Sequence, residues 1–400
     1  MTRRTGAELG LAAALRDALD REVPDAVLLR HELHAGAEPS GSEHQTAALV
    51  ANALGASPAS QVGGTGRVVR IGPQSGPCVA VRAELDALPI EEETGAPWAS
   101  RTGAMHACGH DVHMACLLGA AAVLSRATRP EGGPIRLLFQ PAEEEGERGG
   151  ALPLIERGGL EHPKVDYVVG QHVDPSLPLG QVGWRAGPLM AAADRFIITV
   201  RGKGGHAATP HQGPDAIVVA SEVVVGLQAL VSRVRDPVDP VVVSVGSFHG
   251  GTRHNILPDE VVLEGTVRTM GPGTRDLLER ALRRRVRSIA ASLGARTRIE
   301  YRRGYPPLIN HSAATRAVAA GLTEEFGSAN VVEVDHPLMG AEDFSRYLER
   351  VPGTFLRLGV GIPGRPASLH SATFAPDERA LVIGAATLAA AAESLQRHPP

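Results

Sequence analysis

The apolar pattern of this chain predicts an α/β protein with a smaller domain inserted into a larger one. Three observations lead there. Short runs of Val, Ile and Leu alternate with segments of helical spacing through the first half. Between residues 187 and 303 the order becomes strand, helix, strand, strand, helix, strand, which is the split βαβ or ferredoxin-like signature. After residue 304 the first kind of alternation resumes. The expected fold is therefore a mixed, mostly parallel sheet flanked by helices, formed by residues 1–186 and 304–400. The insertion spans 187–303, with Arg185–Pro188 and Tyr305–Pro307 as the joints. At 400 residues the chain is too long for one ordinary core.

Each element has its own warrant. GRVVRIG (66–72), CVAVRAEL (78–85), IRLLFQ (135–140) and VDYVVG (165–170) are near-continuous apolar runs, as strands buried on both faces require. HMACLLGAAAVLSRA (113–127) repeats its apolar residues with helical spacing, so a helix beginning near Val112 is expected between two of them. In the insertion, strands are expected at 195–202, 239–248, 260–269 and 296–303, and helices at 214–234 and 274–293. Nearer the N-terminus, HELH (31–34) is one residue short of the zinc motif H-E-x-x-H and reads as part of an amphipathic helix.

Composition excludes several classes of function. Aromatics are only 3%, so Ala, Val, Leu and Gly must fill the cores. The net charge is −4 and the Lys and Arg residues are dispersed, which leaves no nucleic-acid footprint and no polybasic membrane surface. No run approaches 18 uninterrupted apolar residues. The N-terminal stretch has no long apolar region, and Asp17 and Asp20 fit a surface helix. Cys78, Cys108 and Cys116 are odd in number and form no C-x-x-C, which points to reduced thiols and a cytoplasmic setting.

Five stretches hold the chemistry, each where a strand ends or a loop begins. MHACGHDVH (105–113) sets Cys108 and His110 just before a helix, whose N-terminus would favour the thiolate; Cys108 is either a small buried residue or a metal ligand. QPAEEEGERGG (140–150) leaves an apolar strand with Glu143 and Glu144, either a solvated loop or a pair split between holding a metal and accepting a proton. VVGQHVDP (168–175) and SLHSATF (368–374) each present one histidine, His172 and His370; alone, the first reads more readily as structural and the second as an ordinary surface-loop histidine than as a ligand. GKGGHAATPHQG (202–213) lacks the spacing of a phosphate loop and presents His206 instead.

Taken together, MHACGHDVH, QPAEE, GQHVDP, GKGGHAATPH, NILPDEVVLEGTVRT, MGAEDFS and LHSATF resemble, in order, one branch of the co-catalytic metallopeptidases: the N-acyl-amino-acid amidohydrolases, including hippurate and indole-acetyl-amino-acid hydrolases. The resemblance runs from about residue 28 to 390. It implies two divalent metal ions (manganese, zinc, cobalt or nickel) bound by Cys108, His110, Glu144, His172 and His370, with Cys108 bridging. It further implies Glu143 as general base acting on a metal-bound water, His206 as the lid histidine stabilising the oxyanion, and Asn255 and Arg268 near the substrate α-carboxylate. The substrate would be a small N-acyl amino acid. The insertion would be a lid that also forms a homodimer, with a tetramer as the larger alternative. Glu84, the AGAEPSG segment (35–41), Ala341 and the residues after His370 depart from the family pattern. Two other readings stand beside this one: a carboxypeptidase or dipeptidase of the same fold, and a metal-dependent binding protein without catalysis.

Overall fold

The computed structural model describes residues 25–55, 59–126, 132–236, 238–362, 364 and 368–399. The expected surface helix near Asp17 and Asp20 lies outside them. The chain divides into two compact units. The first holds the described residues up to Gly187, then Ile309–His336 and the chain from Arg346 onward; the second holds Pro188–Leu308 and Pro337–Ser345.

In the first unit, α1 (residues 25–35) and α2 (His44–Ala53) precede the strands β1 (Ser60–Gln61), β2 (Arg67–Ile71) and β3 (Val79–Glu84). Then come α3 (His110–Arg126), β4 (Ile135–Gln140), α4 (Ala151–Glu156), β5 (Tyr167–Pro178) and β6 (Val182–Trp184). After the excursion through the second unit follow α7 (Ser312–Phe326), β15 (Val331–Glu333), α8 (Ser345–Leu348), β16 (Gly353–Gly361) and α9 (Ala380–Arg397). The eight strands form one sheet in the order β1-β2-β4-β3-β5-β16-β6-β15. Its centre, β4-β3-β5-β16, is parallel throughout, while β1, β2 and β6 each have an antiparallel neighbour.

Those central strands are buried on both faces, including their polar side chains Arg82 and Glu84 in β3 and Arg136 and Gln140 in β4. Every residue of β3 and β4 is buried, and α3 and α9 pack together over the sheet around Met114, Leu117, Leu388 and Ala389. A parallel arrangement also gathers the C-terminal ends of β3, β4, β5 and β16 on one edge. Helix α3 begins at His110, earlier than its apolar spacing suggests, and β5 continues through His172 to Pro178 rather than stopping at residue 170.

The second unit is entered within β7 (Gly187–Met190) and left within β14 (Leu308–Asn310). It contains β8 (Ala192–Arg201), β9 (Gly205–His206), α5 (Ala216–Arg233), β10 (Val241–His249), β11 (Ile256–Leu257), β12 (Glu260–Thr269), α6 (Pro272–Ser292) and β13 (Arg296–Arg303). Four of these strands make an antiparallel sheet in the order β10-β12-β8-β13, and β9 pairs with β11. Strand β8 alternates buried and less buried residues because only one face is covered. Leu278, Ala281, Leu282, Val286 and Ala290 form the buried stripe of α6, and Asp215 caps α5 by accepting from Ile217 N–H at 2.9 Å. Beneath the sheet, Asp194 accepts both Arg275 Nε (3.0 Å) and Tyr301 Oη (2.8 Å). Residues 337–345, expected in the larger domain, cluster here instead: Ala191 N–H donates to Leu338 O and Gly340 O, and Leu338 N–H returns to Leu189 O at 2.8 Å. Among the described residues α5 is the one helix long and apolar enough to cross a membrane, and Val219, Val223, Leu227 and Leu230 put its buried face in this core.

Candidate metal centre

Four chain segments converge on the edge where the parallel strands end. The turn before α3 and the first residue of that helix bring Cys108 and His110, the exit of β4 brings Glu143 and Glu144, β5 brings His172, and the loop before α9 brings His370. Their donor atoms form three groups in which all lie within 4.8 Å of one another: Cys108/His110/His172, Cys108/Glu144/His370 and His110/Glu143/Glu144. Cys108 Sγ lies 3.3 Å from His172 Nε2, and His370 Nε2 lies 3.3 Å from Glu144 Oε1. The thiol thus belongs to two of these three groups.

The local backbone explains how such donors meet. Gly109 has φ +82°, and a Cβ there would approach Val173 Cγ2 to 2.6 Å, so only glycine allows Cys108 and His110 to flank this turn. Ala142, just before Glu143, has φ 52° and ψ 40°, a left-handed conformation unusual for a residue with a side chain. His370 also has a positive φ, and its N–H is tied to Ala107 O at 2.9 Å, joining its loop to the Cys108 turn.

A surrounding layer orients the donors. His110 Nδ1 donates to Asp86 O at 2.8 Å, leaving Nε2 buried and without a partner. Asp86 Oδ2 accepts Glu144 N–H (2.9 Å) and Ser40 Oγ (2.7 Å). His172 Nδ1 donates to Val173 O at 2.8 Å, which turns Nε2 toward Cys108. The neighbouring group Glu84/His110/His113 is a poorer claimant to a metal. His113 Nδ1 donates to Glu84 Oε2 and Nε2 accepts Val173 N–H, both at 2.9 Å, so its ring has no free donor. Glu84, fully buried and paired with Arg82, supports His113 and through it the backbone beside His172.

The electrostatics favour a cation. Burial would lower His110, yet Asp86, Glu84 and Glu144 raise it to about 10. Burial would raise Glu144, but His370 and His110 bring its carboxyl below the usual value. Cys108 departs from the expected helix-favoured thiolate: burial, then Glu144 and Glu143, push its thiol well above the ordinary range. Burial lowers His172. A cation beside the sulfur reverses that balance and stabilises thiolate and neutral imidazoles together. The thiolate, imidazole and carboxylate donors and the orphaned His110 Nε2 fit divalent transition metals.

The remaining predicted residues lie in the second unit. His206 and Asn255 are exposed and adjoin where β9 meets β11, with Ala207 N–H donating to Asn255 O at 3.1 Å. Arg268 sits on β12 opposite Ala193 and Val242, half buried, and burial lowers its pKa. HELH is helical as expected; His34 engages Asp111 and Glu92 rather than the donor cluster. Sequence reasoning missed His113, and nothing in the spacing of MHACGHDVH separates His113 from the two donors before it.

The chain is similar to known proteins over much of its length. The family described as Peptidase family M20/M25/M40 matches residues 80–394. An N-acyl-L-amino acid amidohydrolase of Geobacillus stearothermophilus is 43% identical, aligned over 73% of this chain and 80% of its own. Thermostable carboxypeptidase 1 of Saccharolobus solfataricus is 38% identical over 91% of this chain and 94% of its own. The crystal structure of Bacillus subtilis YXEP protein, described as a dinuclear metal binding peptidase, superposes with a TM-score of 0.82 at 32% identity, covering 95% of this chain and 99% of that one.

Proposed function

This chain belongs to peptidase family M20/M25/M40, a hydrolase of amide bonds, and we propose that it is a metal-dependent amidohydrolase that releases an amino acid from its N-acyl conjugate. The observation that carries this reading is the sharing of Cys108 by two donor triads with Glu143 buried alongside. In it, Cys108, His110, Glu144, His172 and His370 hold two divalent cations. When bound, these would polarise the scissile carbonyl and lower the pKa of a water toward neutrality. Zinc, cobalt or nickel suit the thiolate and imidazoles, and the family resemblance leans toward manganese.

The chain's own groups do the rest. Glu143 accepts the proton of the attacking water and returns it to the departing amine. Asp86 keeps the His110 ring in one tautomer, with Nε2 presented to the cluster. To His206 we assign stabilisation of the oxyanion, and to Asn255 and Arg268 the substrate α-carboxylate, which a guanidinium pairs with bidentately.

The insertion is proposed to form a homodimer. Val218 (52% exposed) and Val225 (69%) on α5, with Phe248 on the edge strand β10, offer an apolar surface and an unpaired strand edge. A cytoplasmic setting is proposed from the three free, buried cysteines. The carboxypeptidase relative keeps peptide cleavage as the second reading.

The test is amine release from N-acetyl-, N-benzoyl- and indole-acetyl-amino acids and from dipeptides, after metal removal and reloading with manganese, zinc or cobalt. Glu143→Gln should retain metal and lose about 10²- to 10⁴-fold in turnover. Wild-type rates in that variant would remove Glu143 as the base. Turnover of dipeptides alone would replace the leading reading by the second.

A further inference from the structure

Glu43 is completely buried, and its surroundings are unusual for its position. It stands at the N-cap of α2, yet its side chain makes no bond to the start of that helix. Capping is done by Glu38 instead, whose carboxylate accepts the N–H groups of Gln45 (3.2 Å) and Thr46 (2.8 Å). The Glu43 carboxylate reaches 99 residues along the chain: Oε1 accepts Ala142 N–H at 2.9 Å and Gly41 N–H at 2.6 Å, and Oε2 accepts Thr65 Oγ at 2.6 Å.

Burying a carboxylate is unfavourable unless fixed donors replace its water. Here one of those donors is the residue with positive φ immediately before Glu143. An alanine holds a left-handed conformation only when its surroundings over-determine it. Two grips do so at this turn. Glu43 takes the N–H of Ala142, and Asp86, itself bonded by Ser40, takes the N–H of Glu144. Ser40 and Glu43 belong to one short segment, so residues 40–43 hold the turn on both sides of Glu143.

We propose that Glu43 is a positioning residue: its buried carboxylate locks Ala142 in the left-handed conformation and so aims Glu143. This rests on the reading of Glu143 as the proton acceptor. It makes reach, rather than charge, the requirement at position 43. A glutamine retains the acceptor oxygen that Ala142 and Gly41 share; an aspartate keeps the charge but is one methylene short; a leucine fills the space with no acceptor.

The experiment compares Glu43→Gln, Glu43→Asp and Glu43→Leu in the full-length metal-loaded protein, reading kcat, KM, metal stoichiometry and the thermal transition. Glu43→Gln should keep kcat within about threefold, while Glu43→Asp and Glu43→Leu lose about 10²-fold in kcat, the scale of an ångström's misplacement, with KM and metal content near wild type. Unchanged kcat in Glu43→Asp and Glu43→Leu would overturn the proposal. So would a loss that merely tracks lost metal or lost folded protein. Crystal structures of wild type and Glu43→Asp give a second readout: residue 142 should leave the left-handed region in the variant, and an unmoved turn would refute the proposal. That readout decides even if the wild type hydrolyses no N-acyl amino acid, a result that would fail the amidohydrolase reading alone.

Discussion

Removing the Asp86 carboxylate tests how far the donors depend on the layer behind them. In Asp86→Ala the ring of His110 keeps one anchor, because the backbone carbonyl at position 86 still accepts Nδ1–H at 2.8 Å. It loses the carboxylate oxygen 3.4 Å from Nδ1, while Glu144 N–H and Ser40 Oγ lose their acceptor. A hydrogen bond to a charged group contributes about 1.5–3 kcal/mol, and losing an outer partner typically weakens metal binding about 10- to 100-fold, or roughly 1.4–2.7 kcal/mol. The two figures agree, so a loss of one to two decades in affinity is expected rather than abolished binding. Titrating the metal-free protein with zinc against a competing chelator measures it, with the thermal transition of the apo form as control for folding. Wild-type affinity for both ions would refute the claim that Asp86 orients these donors.

Three further outcomes follow from the same coordinates. Asp194→Ala strands the buried Arg275 guanidinium and should cost about 3–5 kcal/mol in urea denaturation. The double change Asp194→Leu with Arg275→Met should recover most of that, and a single-variant loss below about 1 kcal/mol would contradict the network's importance. If His206 acts across a dimer, mixing His206→Ala with Glu143→Gln subunits should restore activity; proven subunit exchange without recovery would exclude a shared site. His34 faces Asp111 through Nδ1 and Glu92 through Nε2, and only the imidazolium can donate to both. Burial would lower its pKa, but Asp111 and Glu92 raise it above 6.5. Its contribution is therefore full below pH 6.5 and fades as pH rises through the folded value. Stability measured against pH should show this decline in wild type and not in His34→Gln.

Much of the fold was legible because periodicity reports burial directly. The run IRLLFQ and the segment 260–269 became strands with the expected ends, and the insertion's strand and helix order survives as a four-stranded antiparallel sheet. The start of α3 was less legible, since His110 and Asp111 carry no apolar signal. Residues 337–345 cluster with the second unit through backbone hydrogen bonds, which leave no mark on side-chain chemistry. At the site, residue types that bind metals announced themselves. Their supports did not: Glu43 stands at the N-cap position of α2 without capping it, and the spacing of MHACGHDVH does not set His113, both of whose nitrogens are engaged, apart from the donors.

The position of β16 in the sheet has a consequence for synthesis. This strand lies between β5 and β6, yet among the described residues it follows every other strand of the sheet in the chain and so leaves the ribosome after them. Until residues 353–361 emerge, β1-β2-β4-β3-β5 and β6-β15 have no strand joining them, and β5 presents a bare apolar edge. His370 emerges later still. A nascent chain halted at residue 350 would contain Cys108, His110, Glu144 and His172 but hold an open seam where its centre belongs. Closure of that seam and completion of the donor set are consecutive events, each waiting on a segment that follows every other strand of the sheet.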